Sequence, residues 1–425
     1  MIDIKLIREN PEKYKKAADD KKIEVDIDRL LQLDDSIKLL KQSLQDIATY
    51  KNERSKLIAG LKDSEKKEIL SALAENKVRE SEHKEKLKQL QPEFDVLMQQ
   101  VAQPADDDVP LGKDDTENVE IRKEGKVCQF DFEPKDHVEL GLALGIIDIE
   151  RGVKLAGTRN YFLKGDGALL HWAILRFAMD FMVERGYEPM SVPLLMRDEA
   201  MRGTGYYPGS EEQTYQMEKD QLSLAGTAEV PLTAFHMDEI LKADELPKKF
   251  VAMSSCFRRE AGAAGKDTYG LYRIHQFDKV EQVIVCENSI EQSNKFHQEI
   301  LSNAEGVMRA LGLPYRVVNV CTGDLGRGQA KKFDIEAWMP SRENYCETHS
   351  ASKFYDFQAR RMNLRYKDPQ TKKNIFCHTL NNTVIASPRI FIPLLELYQN
   401  KDGSVTIPEV LRPYMQNREK IAACE

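Results

Sequence analysis

The sequence has no run of about 18 or more apolar residues, so no segment reads as a membrane span. Its first residues, MIDIKLIRENPEKYKK, include acidic side chains and no apolar stretch ending in small residues, and are not expected to be a secretory signal. Cysteine is scarce. The seven cysteines (Cys128, Cys256, Cys286, Cys321, Cys346, Cys377 and Cys424) include no C-x-x-C pair. An odd, scattered set argues against a disulfide scaffold or a zinc finger, and for reduced thiols in a cytoplasm; the expectation is a cytoplasmic chain without zinc. Missing too are G-x-x-x-x-G-K-[ST], G-x-G-x-x-G after a strand, H-E-x-x-H and G-x-S-x-G, which excludes the commonest nucleotide-loop, zinc-hydrolase and serine-hydrolase plans. Cationic excess is also lacking: 62 Lys and Arg face 70 Asp and Glu, for a formal net charge of -8. A generally basic nucleic-acid coat is excluded, although a local basic surface is not. What remains is a chain of 425 residues, 41% hydrophobic and 31% charged, too long for one ordinary domain and rich enough for a large core.

The first hundred residues differ from the rest. Apolar positions at Leu30, Leu33, Ile37, Leu40, Leu44 and Ile47 step by three and four, and a second series runs Leu87, Leu90, Phe94, Leu97, Val101. Each is a heptad seam, and two helices of about 35 residues would form an antiparallel hairpin roughly 50 Å long. Gly60 and the stretch 62–65 supply the turn, with Ser64 as an N-cap, and Pro92 should kink the second helix or mark a restart. A plain helical bundle or dimerising coiled coil fits the same pattern. Charge favours a polyanion-binding arm: residues 51–67 carry six Lys or Arg (Lys51, Arg54, Lys56, Lys62, Lys66, Lys67) against three Asp or Glu. This gives a unit over 1–102, a polar linker over 103–118 (QPADDDVPLGKDDTEN), and a second unit over 119–425. In that second unit strand-like runs and helical patterns do not alternate strictly, so an α+β fold around an antiparallel sheet is expected.

The candidate chemistry is a set of polar residues on strand-like segments. Phe257-Arg258-Arg259-Glu260 ends an apolar run, a Gly/Ala loop follows over 261–265, and YRIHQFDKVE (272–281) returns. Strand, glycine-rich turn and strand make a hairpin that puts arginines and carboxylates on one sheet surface. Thr227 and Glu229 in GTAEVPLT, Glu336 in FDIEAWMP, Glu347 in YCETHS and Arg389 in SPRIFIPLLELY are further polar groups in apolar surroundings. Each alone reads equally as a sheet ion pair. Together they are expensive to bury unless they pair or bind ligand, and they suit a polyphosphate with metal beside an ammonium group.

These segments resemble a class II aminoacyl-tRNA synthetase, and within that class the seryl-tRNA synthetase family. The likeness runs nearly full length. It takes in the helical arm, GYEPMSVPLL with Pro193 at the motif 1 proline, GTAEVPLT, CFRREAGAAGKDTYGLYRIHQFDKVE as motif 2, CTGDLGRGQAKKFDIEAWMP, DFQARRMNLRY, HTLNNTVIASPRIFIPLLE and IPEVLRPYM. The resemblance implies a class II antiparallel sheet with flanking helices and an N-terminal coiled-coil arm. It implies ATP on Arg258, Arg259, Glu260, Ile274, Glu347, Thr348, His349, Ser350 and Arg389, with Arg258, Glu260 and Arg389 catalytic. It implies magnesium on Glu347 and Ser350. Serine would be held by Thr227, Ala228, Glu229, Glu281, Asn381 and Thr383. The six basic residues of the arm would meet serine tRNA, with selenocysteine tRNA a further substrate, and the protein would be a homodimer.

Three segments depart from the common pattern. Asn381-Asn382-Thr383-Val384-Ile385-Ala386 stands where Asn-Gly-Ser-Gly-Leu-Ala is usual, Thr348-His349-Ser350-Ala351-Ser352 replaces Ser-Ser-Cys-Ser-Asn, and Ser387-Pro388 replaces Val-Gly. Two other functions compete: a ligase that hands its amino acid to a carrier protein or metabolite, and a non-catalytic RNA-binding paralogue. The first should lack the long arm. The second should have lost Arg258, Glu260 or Arg389, and all three are present.

Overall fold

The computed structural model describes residues 1–57, 62–262, 267 and 269–422, so the turn at Gly60 and the loop residues 263–266 lie outside the described residues. The chain divides into two compact units, Met1–Pro104 and Ala105–Glu425.

In the first unit α1 (Ile27–Leu57) and α2 (Asp63–Gln100) are the two long helices, spanning about 46 and 57 Å at 1.5 Å per residue. They run antiparallel. Arg29 forks onto Glu93 through two bonds of 2.8 Å, while Lys51 lies 3.9 Å from Glu80, so pairing partners descend on one helix as they ascend on the other. The seam residues Leu30, Leu33, Ile37 and Ile47 are buried, and Val101 closes the opposite series. Two sequence expectations are corrected. α2 starts at Asp63, with Lys62 at the cap position and no side-chain cap bond, so Ser64 is inside the helix instead of capping it. The helix also continues through Pro92, so the proline marks no restart.

The second unit is built on an eight-stranded sheet: β1 (Val119–Glu124), β2 (Glu188–Met190), β3 (Lys248–Phe257), β4 (Gln276–Cys286), β5 (Tyr315–Asn319), β6 (Lys331–Met339), β7 (Asn344–Tyr355) and β8 (His378–Ser387). Their spatial order is β1-β5-β6-β7-β8-β4-β3-β2, antiparallel throughout except for the β2–β3 pair. The expected hairpin is β3–β4, with Phe257 opposite Gln276. One sheet face is covered by α3 (Asp166–Val183) and α4 (Ile290–Ala310). α3 offers Leu170, Ile174, Ala178 and Met182 at four-residue spacing, and α4 offers Ile300, Ala304, Val307 and Met308. Val280 and Ile284 of β4 join this core. Strand side chains alternate, so Phe277, Lys279 and Glu281 turn to the other face, and all three line a cleft there.

The polar stretch read as a linker over 103–118 is bonded along much of its length. The Asp106 N–H donates to the Ala330 carbonyl at 2.9 Å, and its carboxylate pairs with Lys353 at 2.5 Å; Lys331 pairs with Asp108. Gly112 donates to the Thr322 hydroxyl at 3.3 Å. Asp106 and Asp108 thus meet lysines more than 200 positions away.

Leu30 is 0% exposed and Leu39 is 73% exposed on the same helix. Leu30→Ala is expected to destabilise the first unit by about 2–4 kcal/mol, and Leu39→Ala by less than about 0.5 kcal/mol, in denaturant melts of the two variants.

Candidate active site

The cleft encloses about 240 Å³ and is floored by β4, β7 and β8. Two β-bulges aim its side chains. In the β6–β7 pair His349 faces Ile335 while Glu347 faces Glu336, which leaves Thr348 as the extra residue. Simple alternation would put Glu347 on the face of His349; the extra residue turns it to the side of Ser350 and Ser352, and all three line the cleft. In the β4–β8 pair Val280 faces Ile385 and Glu281 faces Thr383, so Val384 is the extra residue, and Asn381 and Thr383 are delivered beside Glu281.

At the foot of the cleft three buried charges meet. The Lys279 ammonium lies 2.5 Å from Glu281 and donates to the Thr227 hydroxyl at 2.6 Å. Thr383 donates to the same Glu281 carboxylate at 3.3 Å. Glu229 has no cation of its own among the described residues: it accepts from Tyr206 (3.2 Å) and from Gln358 (2.9 Å). Burial, reinforced by the neighbouring Glu281 charge, pushes the Glu229 carboxyl up to about 7, with Lys279 opposing. The amide nitrogen of Asn381 is buried here with no hydrogen-bond partner among the described residues.

Arginines line the rest of the cleft. Arg258 donates Nε to the Gly226 carbonyl at 3.4 Å and lies over the Phe277 ring at 5.1 Å. Its remaining N–H groups meet no protein acceptor among the described residues, unusual for a guanidinium in a cleft. Arg389 donates to the Glu347 carbonyl at 3.1 Å, stands 3.6 Å from its carboxylate, and covers the Tyr272 ring at 4.4 Å. Glu260, at φ 52, pairs with Arg273 at 2.7 Å. Desolvation by the cleft walls raises the Glu347 carboxyl, but Arg389, Lys332, Arg258 and Arg273 outweigh it and hold the group below the ordinary carboxylate range.

Of the residues singled out in the sequence, Arg258, Glu260, Ile274, Glu347, Thr348, Ser350, Arg389, Glu229, Glu281, Asn381 and Thr383 line this one cleft. Thr227 reaches it through Lys279. Arg259, Ala228 and His349 do not line it. Arg259 is exposed, on the far side of an extended chain from Arg258, with its N–H on the Gln213 carbonyl. Ala228 is packed with Leu232, Phe250 and Val283. His349 turns under the sheet, where it bonds Thr348 and the Val384 carbonyl, and burial lowers its imidazole to about 4. Glu336 is a sheet ion pair, 2.5 Å from Arg316. Lys279 and Tyr206 were not singled out. Lys279 had a signal, its i, i+2 spacing from Glu281 on one strand; Tyr206 arrives on a loop and had none.

A family model described as the tRNA synthetase class II core domain (G, H, P, S and T) matches residues 212–398, and one described as the seryl-tRNA synthetase N-terminal domain matches residues 1–103. The chain is 45% identical over 426 residues to the serine–tRNA ligase of Deinococcus radiodurans, across 99% of this chain and 98% of that one. It belongs to the seryl-tRNA synthetase family. Seryl-tRNA synthetase structures agree: that from Pyrococcus horikoshii, complexed with ATP, matches with a TM-score of 0.90 at 37% identity over 100% of both chains. The cytoplasmic serine–tRNA ligase of Naegleria fowleri, in complex with AMP, matches at 0.88 and 32% identity over 100% of this chain and 99% of that one. The class II sheet and the helical arm are thus both those of a seryl-tRNA synthetase.

Because the Glu229 carboxyl titrates near 7 when folded and near 4.5 as a free group, the native state holds its proton more tightly. Its favourable contribution is full below about pH 4.5 and is lost as pH rises through about 7. Between pH 5 and 8 the unliganded protein is expected to lose about 2–3 kcal/mol of stability relative to Glu229→Gln, read from denaturant melts of both at each pH.

Proposed function

We propose that this chain is a serine–tRNA ligase that uses ATP to activate L-serine and then esterifies serine tRNA, with selenocysteine tRNA accepted on the same family reading. The observation that carries it is the charge of one cleft: an under-neutralised carboxylate pair beside an arginine with spare donors. The ammonium of serine supplies the missing cation between Glu229 and Glu281. Thr383 and the unpartnered Asn381 amide suit its hydroxyl, and a site built to bond a hydroxyl rejects alanine because the polar groups would be left unpaired.

In the first step a carboxylate oxygen of serine attacks the α-phosphorus of ATP, the bond from that phosphorus to the bridging oxygen breaks, and pyrophosphate leaves. The carboxylate is already ionised, so no general base is needed. What the step needs is alignment and relief of phosphoryl charge, which Arg258 provides at the reacting centre and Arg389 at the outer phosphates. Glu260 and the backbone near Ile274 would meet the adenine. In the second step a hydroxyl of the terminal adenosine of tRNA attacks the seryl carbonyl and AMP leaves.

Glu347 and Ser350 offer only oxygen donors beside the phosphate end, and the Asp334 carboxylate behind them has one buried oxygen without a partner. Such a hard, sparse set fits magnesium, which takes one or two carboxylates and completes its shell with phosphate oxygens and water. When bound with ATP the metal would neutralise and orient the phosphates.

All six basic residues assigned to the arm are exposed, which suits contact with tRNA phosphates. A homodimer is supported by large apolar side chains left exposed on and before α3, among them Trp172 at 61% and Leu155 at 74%. Free thiols at every described cysteine suit a cytoplasmic setting.

Serine-dependent ATP–pyrophosphate exchange, followed by transfer to purified tRNA, tests the reading. Arg258→Ala should cost about 3 kcal/mol, mostly in turnover, with the serine requirement little changed. Glu281→Ala should instead raise the serine requirement, and Thr383→Val should weaken serine use by about 1–3 kcal/mol while Thr383→Ser is nearly silent. Equal loss of melting temperature with normal activity in the folded fraction would reduce these residues to sheet-stabilising groups. Separately, deleting about residues 30–101 should abolish tRNA charging and leave exchange largely intact; loss of both in a folded protein would contradict the arm's assignment to tRNA.

A further inference from the structure

Behind the nucleotide end of the cleft lies a buried pair that the chemistry above does not use. His137 opens the helix His137–Ala143, which Asp136 caps, and Glu396 sits on α5 (Phe391–Leu397), the helix that follows Arg389. They are 4% and 0% exposed. The Glu396 carboxylate accepts four hydrogen bonds: from the His137 N–H (3.1 Å), the His137 ring Nδ1 (2.8 Å), the Ser341 N–H (2.9 Å) and the Ser341 hydroxyl (2.8 Å). Because a carboxylate only accepts, the His137 proton is on Nδ1, which leaves Nε2 as an acceptor. That acceptor is used: the Leu271 N–H donates to it at 3.2 Å.

Leu271 belongs to the returning arm of the β3–β4 hairpin, where Leu271, Tyr272, Arg273 and Ile274 all line the cleft. The segment passes so close to the ring that a Cβ on Gly270, at φ +72, would fall 2.2 Å from His137 Nε2. Tyr269 adds a second tie to the same helix start, donating to Asp136 at 2.8 Å. Beyond it, Tyr272 is covered on its rings by Arg389 at 4.4 Å and Arg342 at 4.2 Å. One carboxylate therefore fixes the helix bearing His137, the turn bearing Arg342 and the helix adjoining Arg389, and the imidazole passes that fix on to the loop.

We propose that His137 is a positioning residue for the nucleotide: through its bond to Leu271, with Glu396 setting its tautomer and angle, it holds the segment Tyr269–Ile274 against Arg389. It acts on ATP and not on serine, whose groups lie at the other end of the cleft. The inference rests on the assignment of that end to ATP. Nothing in it depends on the metal.

The two halves of the relay can be cut separately. His137→Asn puts an amide near the place of Nδ1, able to donate to Glu396, and removes the acceptor for Leu271. His137→Gln reaches the place of Nε2 with a carbonyl oxygen and removes the donor to Glu396. In serine-dependent ATP–pyrophosphate exchange, His137→Asn is expected to raise the KM for ATP about tenfold with the KM for serine within about twofold of the parent. His137→Gln is expected to keep the KM for ATP nearer the parent and to lose more melting temperature, because a buried carboxylate loses a donor. An unchanged KM for ATP in folded His137→Asn, or equal rises for ATP and serine, overturns the proposal. Should His137→Asn not fold, Gly270→Ala, whose methyl would meet the His137 ring at Nε2, breaks the Leu271 contact and must show the same ATP-selective rise; no rise overturns the proposal as well. A parent protein with no serine-dependent exchange would defeat the functional reading instead, which keeps the two failures apart.

Discussion

Charge balance at the foot of one cleft governs the rest of this molecule. Two carboxylates, Glu229 and Glu281, share one buried cation, Lys279. Lys279 is committed to Glu281 and Thr227, so Glu229 is held in a dry place without a countercharge. The protein tolerates this by keeping Glu229 protonated near neutrality and by bracing it with Tyr206 and Gln358. A free-standing cost of that kind makes sense where a ligand brings the missing positive charge. In the proposed function serine would do so through its ammonium, and Arg258 beside it offers donors that a phosphate can use.

The scaffold exists to hold those groups at fixed separation. α3 and α4 seal one face of the sheet with a continuous apolar core, which leaves the opposite face to carry polar side chains from the central strands. The two bulges then break strict alternation where the chemistry requires it. Thr348 turns Glu347 towards the cleft, and Val384 brings Thr383 opposite Glu281. Arg389 is placed by the chain leaving β8, and Glu347 is placed by β7, so the pair proposed to frame the phosphates is set by neighbouring strands.

Much of this was legible in the residues. The steps of three and four from Leu30 to Ile47 marked a helical seam, although a plain bundle fitted them too, and buried Leu30 and Leu33 follow from it. Arg258, Glu260 and Glu281 stood out as charges inside apolar strand runs. Other features were hidden because they depend on register. Whether Glu347 or His349 faces the cleft turns on one unpaired residue, which no local pattern reveals. Arg259 and Ala228 were carried along with their neighbours in a motif, although Ala228, at the start of the helix Glu229–Ala234, packs into the core instead. The stretch 103–118 read as a linker because the partners of Asp106 and Asp108, Lys353 and Lys331, lie far along the sequence. His137 looked like any of eight dispersed histidines until the fold set it between Glu396 and Leu271.

The central claim is that serine completes a charge that the empty cleft lacks. Its most direct test is the proton balance of binding, measured by calorimetric titration of the protein with L-serine in buffers of different ionisation enthalpy. With the Glu229 carboxyl at about 7, binding at about pH 6 should release close to one proton, and binding at about pH 8 almost none. Binding heats at pH 6 that do not depend on the buffer would mean that no proton leaves, and would contradict the account.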